Sequence, residues 1–409
     1  SVKTTSIRYG MMRTAASRLD APFYLNDAVA YYSGLKKCPY ELTSVADESS
    51  HVFFGNIFSR NFVKDAEHGI PYLRASEIQK ADLASGGLYL SKTQATKLSH
   101  LRLKRGWILV TCSGSLGNCA LADARFEQFI ATHDLIRIVP EKNKLESGVL
   151  YAFLASRYGY ATLTHSQYGS VILHTNPDQV GRIQIPVFTS RFQKRVHEQI
   201  MDAARLREEA DTALKRAVAK FENESGLNGL DQGCVTSRIG IQAIVRKSRR
   251  LDSLYQIWTN KLDRVITDSH QEAIPISKIA ELFLCQRGQR VYIRNGIPFL
   301  STAEMGLFNA VRKADCISKH TVGISDMIVN EDDLLVSCDG TTGNVIIVGH
   351  DMAGIAVSHG ALRIRVDEKQ VSPYYVFCFL RTKFAQSYMR ASSYGSVIQH
   401  VNDKLVGKM

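Results

Sequence analysis

The sequence has no CxxC pair and no regular cysteine framework: Cys38, Cys112, Cys119, Cys234, Cys285, Cys316, Cys338 and Cys378 are scattered along 409 residues. In a chain of this length that excludes a disulfide scaffold and reads as reduced thiols in a cytoplasm. Cys112 and Cys119 stand too far apart for a zinc knuckle, so no metal is expected. No apolar run reaches the about 18 residues that a membrane-spanning helix needs. The N-terminal stretch SVKTTSIRYGMMRTAA lacks the apolar core of a signal peptide. A soluble, cytoplasmic protein with no membrane partner is expected. Catalytic signatures are missing too. There is no GxxxxGK[ST] phosphate loop, no FxGxG-like methyl-donor loop, no NPPY or DPPY tetrapeptide and no nuclease cluster of paired carboxylates with lysine. The expectation is a chain without chemistry of its own and without a cofactor of its own.

What is present is length, a core and positive charge. A chain of 409 residues accommodates two or three domains, and 45% hydrophobic content gives each a core. Lysine and arginine number 51 against 39 acidic residues, a formal charge of +12 that favours a polyanionic partner.

Self-comparison organises the chain. Gly69-Ile70-Pro71-Tyr72-Leu73 returns as Gly296-Ile297-Pro298-Phe299-Leu300. TCSGSLGN (111–118) returns as SCDGTTGN (337–344), THDLIRI (132–138) as SHGALRI (358–364), and YGSVILH (168–174) as YGSVIQH (394–400). The last three pairs share one offset. A looser match links SRLDAPFY (17–24) with RRLDSLYQ (249–256). Two copies of one domain are expected. Strand-like runs such as WILVT, LIRIV and NVIIV alternate with helical stretches such as GVLYAFLASRYGYATL and SPYYVFCFLRTKFAQSYMR, so each copy reads as α+β.

Between the copies, residues 191–221 contain no glycine or proline. Phe192, Val196, Ile200, Ala203, Leu206, Ala210, Leu214, Ala217 and Phe221 recur at steps of three and four, which predicts one helix of roughly 45 Å with a single apolar stripe. Arg195, Glu198, Arg205, Glu208, Glu209 and Lys215 occupy its other faces. So narrow a stripe either meets a partner helix or packs on its own domain. The expected organisation is a first domain over 1–188, a spacer helix over 189–222, a turn-rich linker over 223–237 and a second domain over 238–409.

Candidate DNA-contacting residues follow from the repeat. The loop after the WILVT strand carries Ser113, Ser115 and Asn118. Its counterpart carries Asp339, Thr341, Thr342 and Asn344 on the same glycines. Such a loop either cradles phosphate oxygens and base edges or is simply a tight hairpin turn. His133 and His359 occupy matched places before a strand, as capping or DNA-contacting groups. Tyr168, Ser170 and His174, like Tyr394, Ser396 and His400, either rim a groove or pack the core. Lys97, Arg102, Lys104, Arg287 and Arg290 are scattered cations that either track a phosphate backbone or form an ordinary solvated face. Arg74, with Ser76 nearby, follows the GIPYL strand and is the favoured base reader, because its fork matches guanine. Ser301 stands at the matching place in the second copy, so the two copies would read different bases.

The ordered set of GIP[YF]L, [TS]C.G..GN and YGSVI.H, present twice and covering nearly the whole chain, resembles the specificity subunit of type I restriction–modification DNA methyltransferases. That resemblance implies two target recognition domains, each gripping one half of a split, asymmetric site on double-stranded DNA. It implies helices that pair as an antiparallel coiled coil and set the spacing between half-sites, with Phe192, Val196, Ile200, Leu206, Leu214 and Phe221 on the partner-binding face. It further implies two methyltransferase subunits carrying S-adenosylmethionine, and a restriction motor subunit. Two features depart from the family pattern. IQIPVFTSRFQKRVHEQI has one proline where the family has several, with HEQ displaced. Val406-Gly407-Lys408-Met409 matches Val180-Gly181-Arg182-Ile183, so a second helix is expected where the sequence stops: either the chain is cut short there or it departs from the two-helix plan. Two other readings stand beside this one, a duplicated protein-binding scaffold and a single-chain DNA-modifying enzyme.

Overall fold

The structure, a computed structural model, describes residues 4, 6, 7, 9, 21–25, 28–165, 173–227, 240–242, 250–268, 273–340, 342–395 and 399–409. It mixes helix and strand and divides into two compact units, Ser1–Asp211 and Thr212–Met409. No helix among the described residues is long and apolar enough to cross a membrane.

In the first unit the strands Ser49–Phe53, Leu135–Pro140, Ile108–Thr111 and Cys119–Leu121 lie side by side in that order, all antiparallel. Ile108 and Val110 enter one core with Val149, Leu150, Phe153 and Ile183. Leu109 enters another with Leu73, Leu103, Phe126 and Phe129. Burial on both faces explains why ILVT is an unbroken apolar run instead of an alternating one. A second sheet runs Phe62–Val63, Tyr89–Ser91, Gly69–Leu73, Ile130–Ala131, with the last pair parallel. Gly69 is required there: a Cβ would sit 2.5 Å from Val63 Cγ2 and 2.6 Å from the Leu90 carbonyl oxygen.

In the second unit Ala280–Phe283, Ala361–Val366, Leu334–Ser337 and Val345–Ile347 form an antiparallel sheet of the same order. Leu334 and Val336 pack with Val376, Leu380 and Met389, while Leu335 packs with Leu300, Val329 and Ile355. The GIPFL segment ends the strand Tyr292–Leu300, which pairs in parallel with Ala356–Val357 and antiparallel with Asp315–Ile317. A Cβ on Gly296 would lie 2.3 Å from the Ile317 carbonyl oxygen, the same crowding as at Gly69.

Each predicted amphipathic helix after the LIRI-type strand is in fact two. Ser147–Ala155 and Arg157–His165 break at the extended Ser156, whose hydroxyl accepts from Gly159 N at 3.2 Å. Pro373–Arg381 and Lys383–Ser392 break at Thr382, whose hydroxyl accepts from Ala385 N at 3.1 Å. A side-chain hydroxyl that caps the second helix stabilises the break, and 3.6-residue periodicity does not show it.

The long helix is Ser190–Glu224, and the division between the units falls within it. In the first unit Val196, Ile200 and Met201 pack on the core, Gly148 N donates to His197 Nδ1, and Glu208 accepts from Ala124 N and pairs with Arg105. In the second unit Phe221 packs edge-on against Tyr375, with Phe379 nearby, and Glu222 accepts from Lys383 N at 2.7 Å. The stripe therefore divides. Val196, Ile200 and Phe221 pack on the units, and Leu214 is half-buried. Phe192, Leu206, Ala210 and Ala217 are exposed, although Phe192 stacks on Phe188.

Candidate nucleic-acid interface

Each matched loop joins two neighbouring strands of the main sheet. In the first unit Thr111 N donates to the Asn118 carbonyl at 2.9 Å, and the Thr111 hydroxyl accepts from Asn118 N and donates to the Ser115 carbonyl. In the second, Ser337 N donates to the Asn344 carbonyl at 2.9 Å, and the Ser337 hydroxyl accepts from Asn344 N at 2.9 Å. Gly114 and Gly117, like Gly340 and Gly343, take positive φ, which is why glycine recurs at those places. The loops are hairpin connections whose tips, Ser115 and Gly340, are exposed. Ser113 bridges to His174, and Asp339 to His400, so the histidine that ends the YGSVI.H motif lies against the loop in both units. The loop cysteines are core atoms. Burial pushes the Cys112 thiol up to about 11 and that of Cys338 up to about 12, so neither supplies a thiolate.

The matched histidines stand beside these loops. His133 Nδ1 lies 3.3 Å from Arg60 Nη2, and its Nε2 lies 3.4 Å from Asp134 Oδ1. His359 Nδ1 lies 3.0 Å from Arg290 Nη2, and its Nε2 lies 3.6 Å from Asp339 Oδ2. Asp339 also accepts from His400 Nδ1 at 2.7 Å. Burial pulls the His359 imidazole below its ordinary value; Asp339 opposes this, and Arg290 and Arg287 add to it.

Beneath the first site, Arg137 is fully buried on the strand Leu135–Pro140. It donates to the carbonyls of Leu135, Ala131, Thr132 and Leu101 at 2.8, 3.0, 3.2 and 3.4 Å. Burial draws its pKa down to about 10. Its counterpart Arg363 donates to the Ile328 carbonyl and stacks 4.8 Å from the Phe283 ring centroid, as Arg137 lies 6.0 Å from that of Phe53.

Arg74 is held differently. Its Nη2 donates to Glu77 Oε1 at 2.7 Å and its backbone N to Glu77 Oε2, with Glu77 fully buried. That pairing raises the Arg74 pKa. Ser301 makes the same closure, its N and hydroxyl donating to Glu304 at 2.8 and 2.7 Å. Both positions thus cap a turn through a carboxylate three residues on. Ser76 beside Arg74 is exposed, and about half of the Arg74 side chain remains so.

Lys97, Arg102 and Lys104 are exposed, and Lys104 lies 5.7 Å from the Trp107 ring centroid. Arg287 is exposed on a cleft of about 460 Å³ between residues 286–291 and 320–327. Tyr394 exchanges backbone hydrogen bonds with His400 and is exposed, while Thr342 and Asn344 are half-buried. Tyr168, Ser170, Thr341 and Ser396 lie outside the described residues. The structure thus gathers Ser113, His133 and His174 in the first unit, and Arg290, Asp339, His359 and His400 in the second. Arg60, which the sequence reading did not single out, joins the first group. At the spacing of the GIP[YF]L pair its counterpart is Arg287, whereas the arginine that meets the matched histidine is Arg290, so self-comparison points to a different residue.

No family model matches the chain, and no curated protein does. Solved structures similar to it include type I restriction–modification S subunits. One, from M. genitalium, is 11% identical over 91% of this chain and 84% of that one, with a TM-score of 0.30. Another, the HsdS subunit from Thermoanaerobacter tengcongensis, is 11% identical over 91% and 84%, with a TM-score of 0.27. The type IIG restriction endonuclease BpuSI is 8% identical over 48% of this chain and 30% of its own length, with a TM-score of 0.33.

Proposed function

We propose that this chain is the specificity subunit of a type I restriction–modification methyltransferase, a non-catalytic reader of a bipartite, asymmetric DNA site. One observation carries the reading. The loop and histidine geometry occurs in both units on the same strand order, with different polar side chains on an otherwise shared frame: Ser113 against Asp339, Asp134 against Gly360, Arg74 against Ser301. A repeated frame with altered contact residues is what recognition of two unlike half-sites requires. Each good bidentate base contact is worth about 1–3 kcal/mol of discrimination.

On this reading the two units are target recognition domains, copies of one duplicated domain. Phosphate contacts come from exposed cations such as Lys97, Arg102, Lys104 and Arg287. Linking the domains raises the effective concentration of the second half-site. The exposed Leu206 and Ala210 of the long helix offer a seam for a partner helix, and methyltransferase subunits assemble there. Those subunits supply S-adenosylmethionine and flip the target base out of the duplex. A restriction motor joins the same complex.

Methylation sequencing of cells that carry this gene with its methyltransferase tests the reading. A bipartite motif is expected, and it is expected to vanish when this gene alone is deleted. Methylation that persists unchanged after deletion would overturn the specificity role and favour a protein-binding scaffold.

A further inference from the structure

We propose that Arg60 and Arg290 are equivalent base-reading arginines, each aimed at DNA by the histidine beside it, with a carboxylate holding that histidine in one tautomer. This rests on the DNA-recognition reading above and names the residues that would make the discrimination.

The two arginines stand at different distances from their GIP[YF]L strands, yet they reach matched partners. Arg60 Cζ lies 5.9 Å from the Tyr72 ring centroid, and Arg290 Cζ lies 4.5 Å from that of Phe299, the matched aromatic. Arg60 Nη2 meets His133 Nδ1, and Arg290 Nη2 meets His359 Nδ1. A guanidinium has only donors, so each Nδ1 must present its lone pair and the ring proton must sit on Nε2. In both units that Nε2 faces an aspartate, at 3.4 Å for Asp134 and 3.6 Å for Asp339.

The aspartate comes from different places. In the first unit it follows the histidine, and the loop position holds Ser113. In the second it comes from the loop as Asp339, and the position after the histidine is Gly360. A Cβ on Gly360 would lie 2.8 Å from Asp339 Oδ2, so the second carboxylate occupies space that only glycine leaves open. The trio of arginine, histidine and carboxylate is kept while the residue supplying the carboxylate changes.

The arginines themselves are not neutralised. Among the described residues neither forms an ion pair with a carboxylate, in contrast to Arg74 on Glu77. Arg60 commits Nε to the Tyr72 hydroxyl at 2.8 Å and one Nη2 proton to His133, which leaves its Nη1 amine for a ligand. An oriented guanidinium on an aromatic face, with donors left over, suits the O6 and N7 acceptors of guanine. A phosphate oxygen has the same acceptor chemistry.

The test uses the full chain assembled with its methyltransferase subunits, acting on a library of randomised duplexes whose methylated products are sequenced. The wild-type complex should return a bipartite motif. Arg60→Ala should then lower discrimination at least about tenfold at positions in one half of the motif, and Arg290→Ala in the other half. His359→Leu should reproduce the Arg290→Ala pattern. His359→Asn, which keeps an acceptor in place of Nδ1, should restore most of the selectivity. In the first unit Asp134→Gly should reduce selectivity, and adding Ser113→Asp should recover it. Uniform weakening on all sequences by Arg60→Ala and Arg290→Ala would make both residues phosphate contacts and overturn the assignment. An unchanged motif would overturn it as well. If the wild-type complex yields no motif, the recognition reading itself falls, and this inference falls with it.

Discussion

Arg290 meets His359 on a lone pair, so a second proton on that ring would set two donors against each other. Burial already holds the His359 pKa below its ordinary 6.5, so the unfolded chain takes up the proton first as pH falls. The stabilisation from the neutral ring is therefore present above about pH 6.5 and lost as pH falls through the lower folded value. Asp339 faces the same ring and opposes the shift, while Arg287 reinforces it. The expected outcome is a fall in thermal stability of the second unit as pH drops below the ordinary histidine value, flattened in His359→Asn. Melting followed by hydrogen exchange of the Leu334–Ser337 amides measures this. Parallel losses in wild type and variant would assign the titration to another group. At this scale His133, His359 and Asp339 were legible because the repeat aligns them. Arg60 was not, because its place depends on a loop that crosses to a histidine 73 residues away.

Arg137 shows how a single residue ties elements together. Its guanidinium joins the strand Leu135–Pro140 to the carbonyls of Leu101, Ala131 and Thr132. Arg137→Met keeps volume but strips several buried carbonyls of a donor, each a loss of about 1–3 kcal/mol, partly offset by removing a buried charge. A net destabilisation of about 3 kcal/mol is expected in the first unit, read from hydrogen exchange of the Leu135–Pro140 amides. A loss under about 1 kcal/mol would mean that these carbonyls find other donors. The strands were legible as elements because two-sided burial leaves unbroken apolar runs. The helix breaks at Ser156 and Thr382 were not, since each rests on one hydroxyl turning back to the next helix. The long helix was predicted over 189–222 and spans Ser190–Glu224, but which part of its stripe packs was left open. Neighbouring side chains decide that: Val196 and Ile200 meet the first core, while Leu206 meets none.

For the whole molecule, the proposed DNA-recognition role together with the formal charge of +12 and the exposed cations predicts binding governed by counterion release. A plot of log affinity against log salt for the assembled complex should fall with a slope of at least about −4, as expected for roughly five neutralised phosphates. A flat dependence would remove DNA as the partner and leave the scaffold reading.

The amino-acid sequence by itself determined the duplicated motifs, the strand-forming runs, the glycines of both loops and the long helix between the two sets of motifs. Each of these follows from periodicity, backbone geometry or local self-similarity. Tertiary structure alone decided which arginine reaches which histidine, which aspartate faces it and which parts of the helix stripe are covered. Those pairings join positions far apart in the chain, and they exist only once the sheets have brought strand ends and loops to one edge. The aligned motifs show an aspartate lost after the histidine and another gained in the loop, but only the fold shows that Asp134 and Asp339 face the same ring nitrogen.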